Sequence, residues 1–99
     1  MDRRLQLHQI LTSLTPNVYF TPPADLKMNY PCIVYQRDYA DTKFADNGVY
    51  HHTKRYQVTV IDRNSDSDIP DKVAALPRCL FERFFAANDL NHDIYNLYF

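Results

Sequence analysis

A chain of 99 residues, 45% hydrophobic and 23% charged, has the size of one domain and a composition that excludes disorder. A formal net charge of −1 removes the general surplus of Lys and Arg that phosphate binding needs, and the densest basic spots, Arg3-Arg4 and Lys54-Arg55, are short. No apolar run approaches the ~20 residues needed to span a bilayer, and no signal-peptide pattern opens the chain, so a soluble protein of the cytoplasm is expected. In that setting Cys32 and Cys79 read as small apolar core residues rather than a disulfide. Eight Tyr and six Phe, with no Trp and one Gly, supply more aromatic surface than a thin core hides, a first sign of a partner.

The first expected element is a helix over Arg3–Leu14, with Leu7, Ile10, Leu11 and Leu14 on one face and Thr15-Pro16 ending it. Val18-Tyr19-Phe20 suggests a short strand. Cys32–Arg37 and Arg55–Ile61 read as stronger ones, the second alternating Tyr56, Val58 and Val60 against Gln57 and Thr59. Between them, residues 38–54 form a polar stretch with an Asn47-Gly48 turn signal. It is either an extended hairpin, with Lys43–Ala45 and Val49–His51 as arms, or a loop that orders on a partner. Asp68 is positioned to cap a short helix through Leu76, with Pro70 in its first turn and Ile69, Val73 and Leu76 on one face.

Two strands, Arg78–Phe85 and His92–Phe99, follow around Asn88-Asp89. Simple alternation puts Cys79, Phe81 and Phe85 on one face of the first, with Leu80 and Phe84 on the other. The second sets Ile94 and Tyr98 against Tyr95, Leu97 and Phe99. Apolar groups on both faces fit a sheet covered on both, with another chain as the second cover since only two short helices are available; the alternative is that the helices cover one face and the outer aromatics stay half-exposed. The expected fold is α+β: a mainly antiparallel sheet of about four to five strands, two helices on one face, and a long hairpin or loop at 38–54. Leu7, Leu11, Leu14, Val34, Val58, Val60, Val73 and Leu76 are the expected core.

Catalytic and metal motifs fail on inspection. Residues 62–68 open like a calcium loop, but the sixth position is Ser67 rather than Gly and the twelfth is Val73 rather than Glu. Adjacent strand residues point to opposite faces, so neither His51-His52 nor His92-Asp93 forms a chelating or catalytic pair. The single glycine, Gly48, leaves no Gly-rich phosphate cradle, and exposed rings beside the short Thr53–Tyr56 segment lack the cationic groove of a single-strand binder. No enzyme activity, cofactor, metal, small-molecule substrate or specific nucleic acid is expected.

The segments Tyr30–Tyr35, Asp41–Asn47, Thr53–Asp62 and Ile69–Val73, with Leu90–Asp93 before an aromatic final strand, resemble small proteins from the head–tail joining region of tailed bacteriophages and prophages. The resemblance spans nearly the whole chain, and in size and element order it is similar to the tail-completion, or tail-terminator, family. It implies a homo-oligomeric ring, commonly a hexamer, that caps the head-proximal end of the tail tube, stops tube growth and receives the filled head. The implied partners are the tail-tube protein and a head-connector protein, and the implied location is the tail–head junction of the virion, after synthesis in the host cytoplasm. A connector or stopper ring of the same region fits the same motifs, and a small monomeric or dimeric regulatory or nucleic-acid-binding module is the reading from another class. Tyr39, Lys43, Phe44, Tyr50 and Arg55 are the residues expected at subunit or partner contacts.

Overall fold

The computed structural model describes residues 3–44, 49–64 and 66–99, with side chains described for all of these but Arg3 and positions 38–44 and 49–53. The order is α1 (Arg3–Thr12), β1 (Val18–Phe20), β2 (Cys32–Phe44), β3 (Val49–Asp62), α2 (Ile69–Ala74), β4 (Cys79–Ala87) and β5 (Leu90–Tyr98). The strands form one sheet in the order β1-β2-β3-β5-β4, an α+β arrangement as expected. All neighbours are antiparallel except β1 and β2, which run parallel. A parallel neighbour was not foreseen. It requires residues 21–31 to cross over the sheet, and Asn29 N–H donates to the Tyr19 hydroxyl (3.2 Å) on that path. Tyr19 pairs with Val34, so the crossover lies on the face away from the core.

Alternation along the inner strands sorts the two faces. Ile33 and Tyr35 of β2, Tyr56, Val58 and Val60 of β3, and Tyr95 and Leu97 of β5 face the helices, and there receive Leu7 and Leu11 from α1 and Ile69 and Val73 from α2. Leu14 and Leu76 pack at the margin of this core. Val34, expected inside it, lies on the opposite face beside Thr59 and is half-buried. Ile10 is more exposed than its face predicted, because a helix this short meets the sheet with one narrow stripe.

Tyr35 is the largest fully buried side chain, and its hydroxyl would be costly to bury alone. His8 Nδ1 lies 2.7 Å from that oxygen and Arg4 Nη1 donates to it at 3.5 Å, which pins α1 to the sheet. Phe20 and Tyr56 pack their rings against the same tyrosine. The helix ends at Thr12, two residues before the expected limit, and Ser13 and Thr15 close the last turn through Gln9 and Leu11 carbonyls.

Three further sequence readings change in detail. Asp68 occupies the N-cap position of α2, but its carboxylate makes no cap hydrogen bond; it pairs with Lys72 (3.4 Å), while Ser67 Oγ accepts from Ile69 N–H (3.3 Å). The calcium-like segment is a turn in which Asp62 Oδ1 accepts from Asn64 N–H and Asn64 Oδ1 from Asp66 N–H. The 38–54 stretch is an extended hairpin: β2 and β3 continue as a paired ribbon to Phe44 and Val49, well past Arg55, where β5 stops. Ala45 and the Asn47-Gly48 turn lie outside the described residues. This arm gives the molecule a long dimension of 51 Å against 24 and 22 Å for the others.

Urea unfolding separates the two kinds of anchor. Leu11→Ala should cost about 3 kcal/mol through the cavity it leaves, and Tyr35→Phe about 1 kcal/mol through the lost hydroxyl contacts. No loss in Tyr35→Phe would place the attachment of α1 in packing alone.

Candidate functional site: two charged corners and an apolar edge

The helices reach only part of the sheet, and three surfaces remain around them. At the base of the arm, Arg4 of α1, Arg37 of β2 and Lys54 of β3 line a depression of about 380 Å³ with Phe20, Thr21 and Tyr56. The cations are far apart in sequence; the β2–β3 pairing and the docking of α1 assemble them. Arg4 also covers the Phe20 ring, its guanidinium carbon 4.5 Å from the centroid.

The opposite corner is acidic. Asp62 at the end of β3, Asp66, Asp71 of α2 and Asp93 of β5 line a second depression, of about 450 Å³, together with Pro70, Phe84 and Tyr95. Lys54 and Asp62 lie on one strand eight positions apart, so the two corners are separated by about 27 Å at ~3.4 Å per residue. Burial raises the Asp93 carboxyl above its ordinary value, the like charge of Asp71 adds to that, and His92 offsets part of it. Tyr95, which donates to the Pro70 carbonyl (3.1 Å), is pushed up to about 12, chiefly by burial and then by Asp93. Four carboxylates, those of Asp62, Asp66, Asp71 and Asp93, thus gather at this corner.

The third surface is β4, an outer strand with eight of its nine residues exposed. Leu80, Phe81, Phe84 and Phe85 are 62, 58, 54 and 40% exposed. A bulge between Phe81 and Arg83 breaks the simple alternation: Phe81 pairs with Tyr95, yet Arg83 pairs with the next residue back, Ile94. Phe84 therefore shares the helix-side face with Phe81, and Phe85 moves to the other face with Leu80, which corrects the expected grouping. On that other face Phe85 stacks on His92 (4.5 Å, 8° between planes), Arg83 lies 5.8 Å from the Phe85 ring centre, and Glu82 Oε2 accepts from Gln57 Nε2 (3.4 Å). The bulge is not legible in the composition of the strand.

Of the residues expected at contacts, Tyr39 and Arg55 are cross-strand partners at the root of the arm, while Lys43, Phe44 and Tyr50 belong to its far half. Arg55 is half-buried and engaged; the side chains of Tyr39, Lys43, Phe44 and Tyr50, like those of His51 and His52, lie outside the described residues. His92 and Asp93 point to opposite faces, as alternation requires. Cys32 and Cys79 are free thiols whose burial pushes each up to about 11. They lie on opposite faces of the sheet, Cys32 opposite Ile61 and Cys79 opposite Leu97. The cationic corner was missed because Arg4, Arg37 and Lys54 are scattered in sequence; the acidic corner was visible only as turn and cap residues.

No family model, no curated protein and no solved structure matches the chain.

The raised Asp93 has a definite consequence. Its ionised form is disfavoured in the fold, so it lowers stability at neutral pH, and the penalty fades as pH falls through the raised value toward 3.8. Asp93→Asn should therefore be more resistant to urea than the parent at pH 7, and the gap should close on acidification. A variant weaker at pH 7 would mean that the carboxylate is stabilised by its surroundings.

Proposed function

We propose that this protein acts by assembly, as a tail-completion protein that closes into a ring on the head-proximal end of a phage tail tube. The observation that carries the reading is the pair of opposed charged corners. A ring joins unlike surfaces of identical subunits, head to tail. A cationic corner of Arg4, Arg37 and Lys54 and an acidic corner of Asp62, Asp66, Asp71 and Asp93, opposite in charge and on opposite ends of the sheet, are suited to such a contact. Charge matching of this kind fixes register and speeds encounter more than it adds affinity. The arm supports the reading from a second side, since a ribbon standing clear of the sheet suits contact with a neighbour or with the tube. The resemblance of the sequence to tail-completion proteins supplies the identity of the target.

The cationic corner also bears on the nucleic-acid alternative, and weakens it. Tyr56 is only 3% exposed and Phe20 sits under Arg4, so the corner offers little ring surface on which a base can stack.

Charge reversal tests the corners directly, with assembly on tail tubes followed by light scattering. Arg37→Glu and Asp71→Lys, both at exposed positions, should each abolish or greatly weaken ring formation, and the double variant should recover it with corners exchanged. Assembly of Arg37→Glu at the parental level would overturn the head-to-tail arrangement. Deleting residues 43–52 should leave the unfolding transition in place and eliminate head–tail joining; infectious particles carrying that deletion would remove the arm from the mechanism.

A further inference from the structure

The edge strand β4 is complementary to itself. Its central residues read Leu80-Phe81-Glu82-Arg83-Phe84-Phe85. Laid antiparallel against a second copy about a two-fold axis between Glu82 and Arg83, the strand sets Leu80 opposite Phe85 and Phe81 opposite Phe84. Glu82 then faces Arg83 on each side of the axis. Directly opposed residues of an antiparallel pair lie on the same face of the sheet. In a regular strand this register is forbidden, because Leu80 and Phe85 would point to opposite faces. The bulge removes the obstacle: Leu80 pairs with Asn96 and Phe85 with His92, which share a face, whereas Phe81 pairs with Tyr95 and Phe84 with Asp93, which share the other. Glu82 and Arg83 both project on the face of Gln57 and Phe85, where opposite charges can meet.

The exposed apolar area of β4 sets the upper limit of what such a contact covers. The exposed fractions of the four apolar side chains amount to about two whole side chains, roughly 400 Å² per copy at ~200 Å² each. A specific interface buries ~800 Å² per partner, a little over half of it apolar. A bulge ordinarily blunts an edge against pairing; here both copies carry it at the same place, so no residue is left over between them.

From these observations we infer that two copies of the free protein pair through β4, joining their sheets into one of ten strands. The inference rests on β4 alone and stands apart from the ring, which is argued from the charged corners. Within the ring reading, the pair is the state of the protein before it meets a tube, with its apolar edge covered.

The test uses the full chain without tubes, its mass followed by sedimentation over a range of concentrations. The parent should be a dimer. Glu82→Arg alone sets Arg against Arg, and Arg83→Glu alone sets Glu against Glu, so each should raise the dissociation constant tenfold or more. An equimolar mixture of these two variants should form a heterodimer of near-parental affinity, since each then meets its opposite twice. Recovery on mixing also shows that both variants are folded, and Phe81→Asp should be monomeric with an intact circular dichroism spectrum. A parent that stays monomeric at high concentration, a larger assembly whose mass ignores these substitutions, or a mixture no tighter than its components would each overturn the pairing. The ring reading fails on a different result, indifference of tube-dependent assembly to Arg37→Glu and Asp71→Lys.

Discussion

Two helices of ten and six residues must cover a sheet of five strands, and much of the architecture follows from that shortage. At ~1.5 Å per residue these helices are roughly 15 and 9 Å long, against about 30 Å for a nine-residue strand, so they leave much of the length of the sheet uncovered. α1 lies over the β1–β2 side and α2 over the β4–β5 side, leaving an apolar groove between them lined by Leu7, Ile10, Leu76 and Phe99. The corners beyond the helices become charged, and β4, furthest from α1, keeps its phenylalanines in the open. Among the described residues the other face receives only the 21–31 crossover, which ties down the β1 end.

Tyrosine is how a core this thin is filled. Tyr35, Tyr56 and Tyr95 bury rings next to the helices, each large enough to span a gap that Val or Leu would leave. Their hydroxyls reach the margin of the core, where polar groups are within range: His8 and Arg4 for Tyr35, the Pro70 carbonyl for Tyr95. Tryptophan is absent and three of the six phenylalanines lie on β4, so part of the aromatic surplus noted in the composition is a structural tyrosine set and part an exposed phenylalanine set. The latter is what a second copy would cover.

The elements were legible because each carries a local signal. The period of Val58 and Val60, the breaks at Pro16 and Pro77, and the Asn88-Asp89 turn, whose residues both take positive φ (53° and 62°), mark their own boundaries. What the sequence hid was relational. The parallel placement of β1 depends on where an eleven-residue connection crosses, and nothing in Val18–Phe20 records it. Val34 looked like core because β-branched residues on a strand do not declare which face has the helices. The grouping of Phe81, Phe84 and Phe85 failed because one extra residue shifts the parity of all that follow it. The charged corners are products of the same relations: strand pairing makes neighbours of Arg37 and Lys54, and the β3–β5 ladder brings Asp93 up to Asp62.

The position of β5 has a consequence for how the protein is made. It is the latest element in chain order, yet it lies inside the sheet, pairing on one side with β3 and on the other with β4. Before β5 leaves the ribosome, the β2–β3 hairpin can form from local contacts, but one edge of β3 stays open and β4 has no neighbour. During that interval the nascent chain displays Leu80, Phe81, Phe84 and Phe85 with nothing to order them. Residues 88–89 join β4 to β5 in a tight turn, so the two strands can pair as a hairpin and close the sheet together against the open edge of β3.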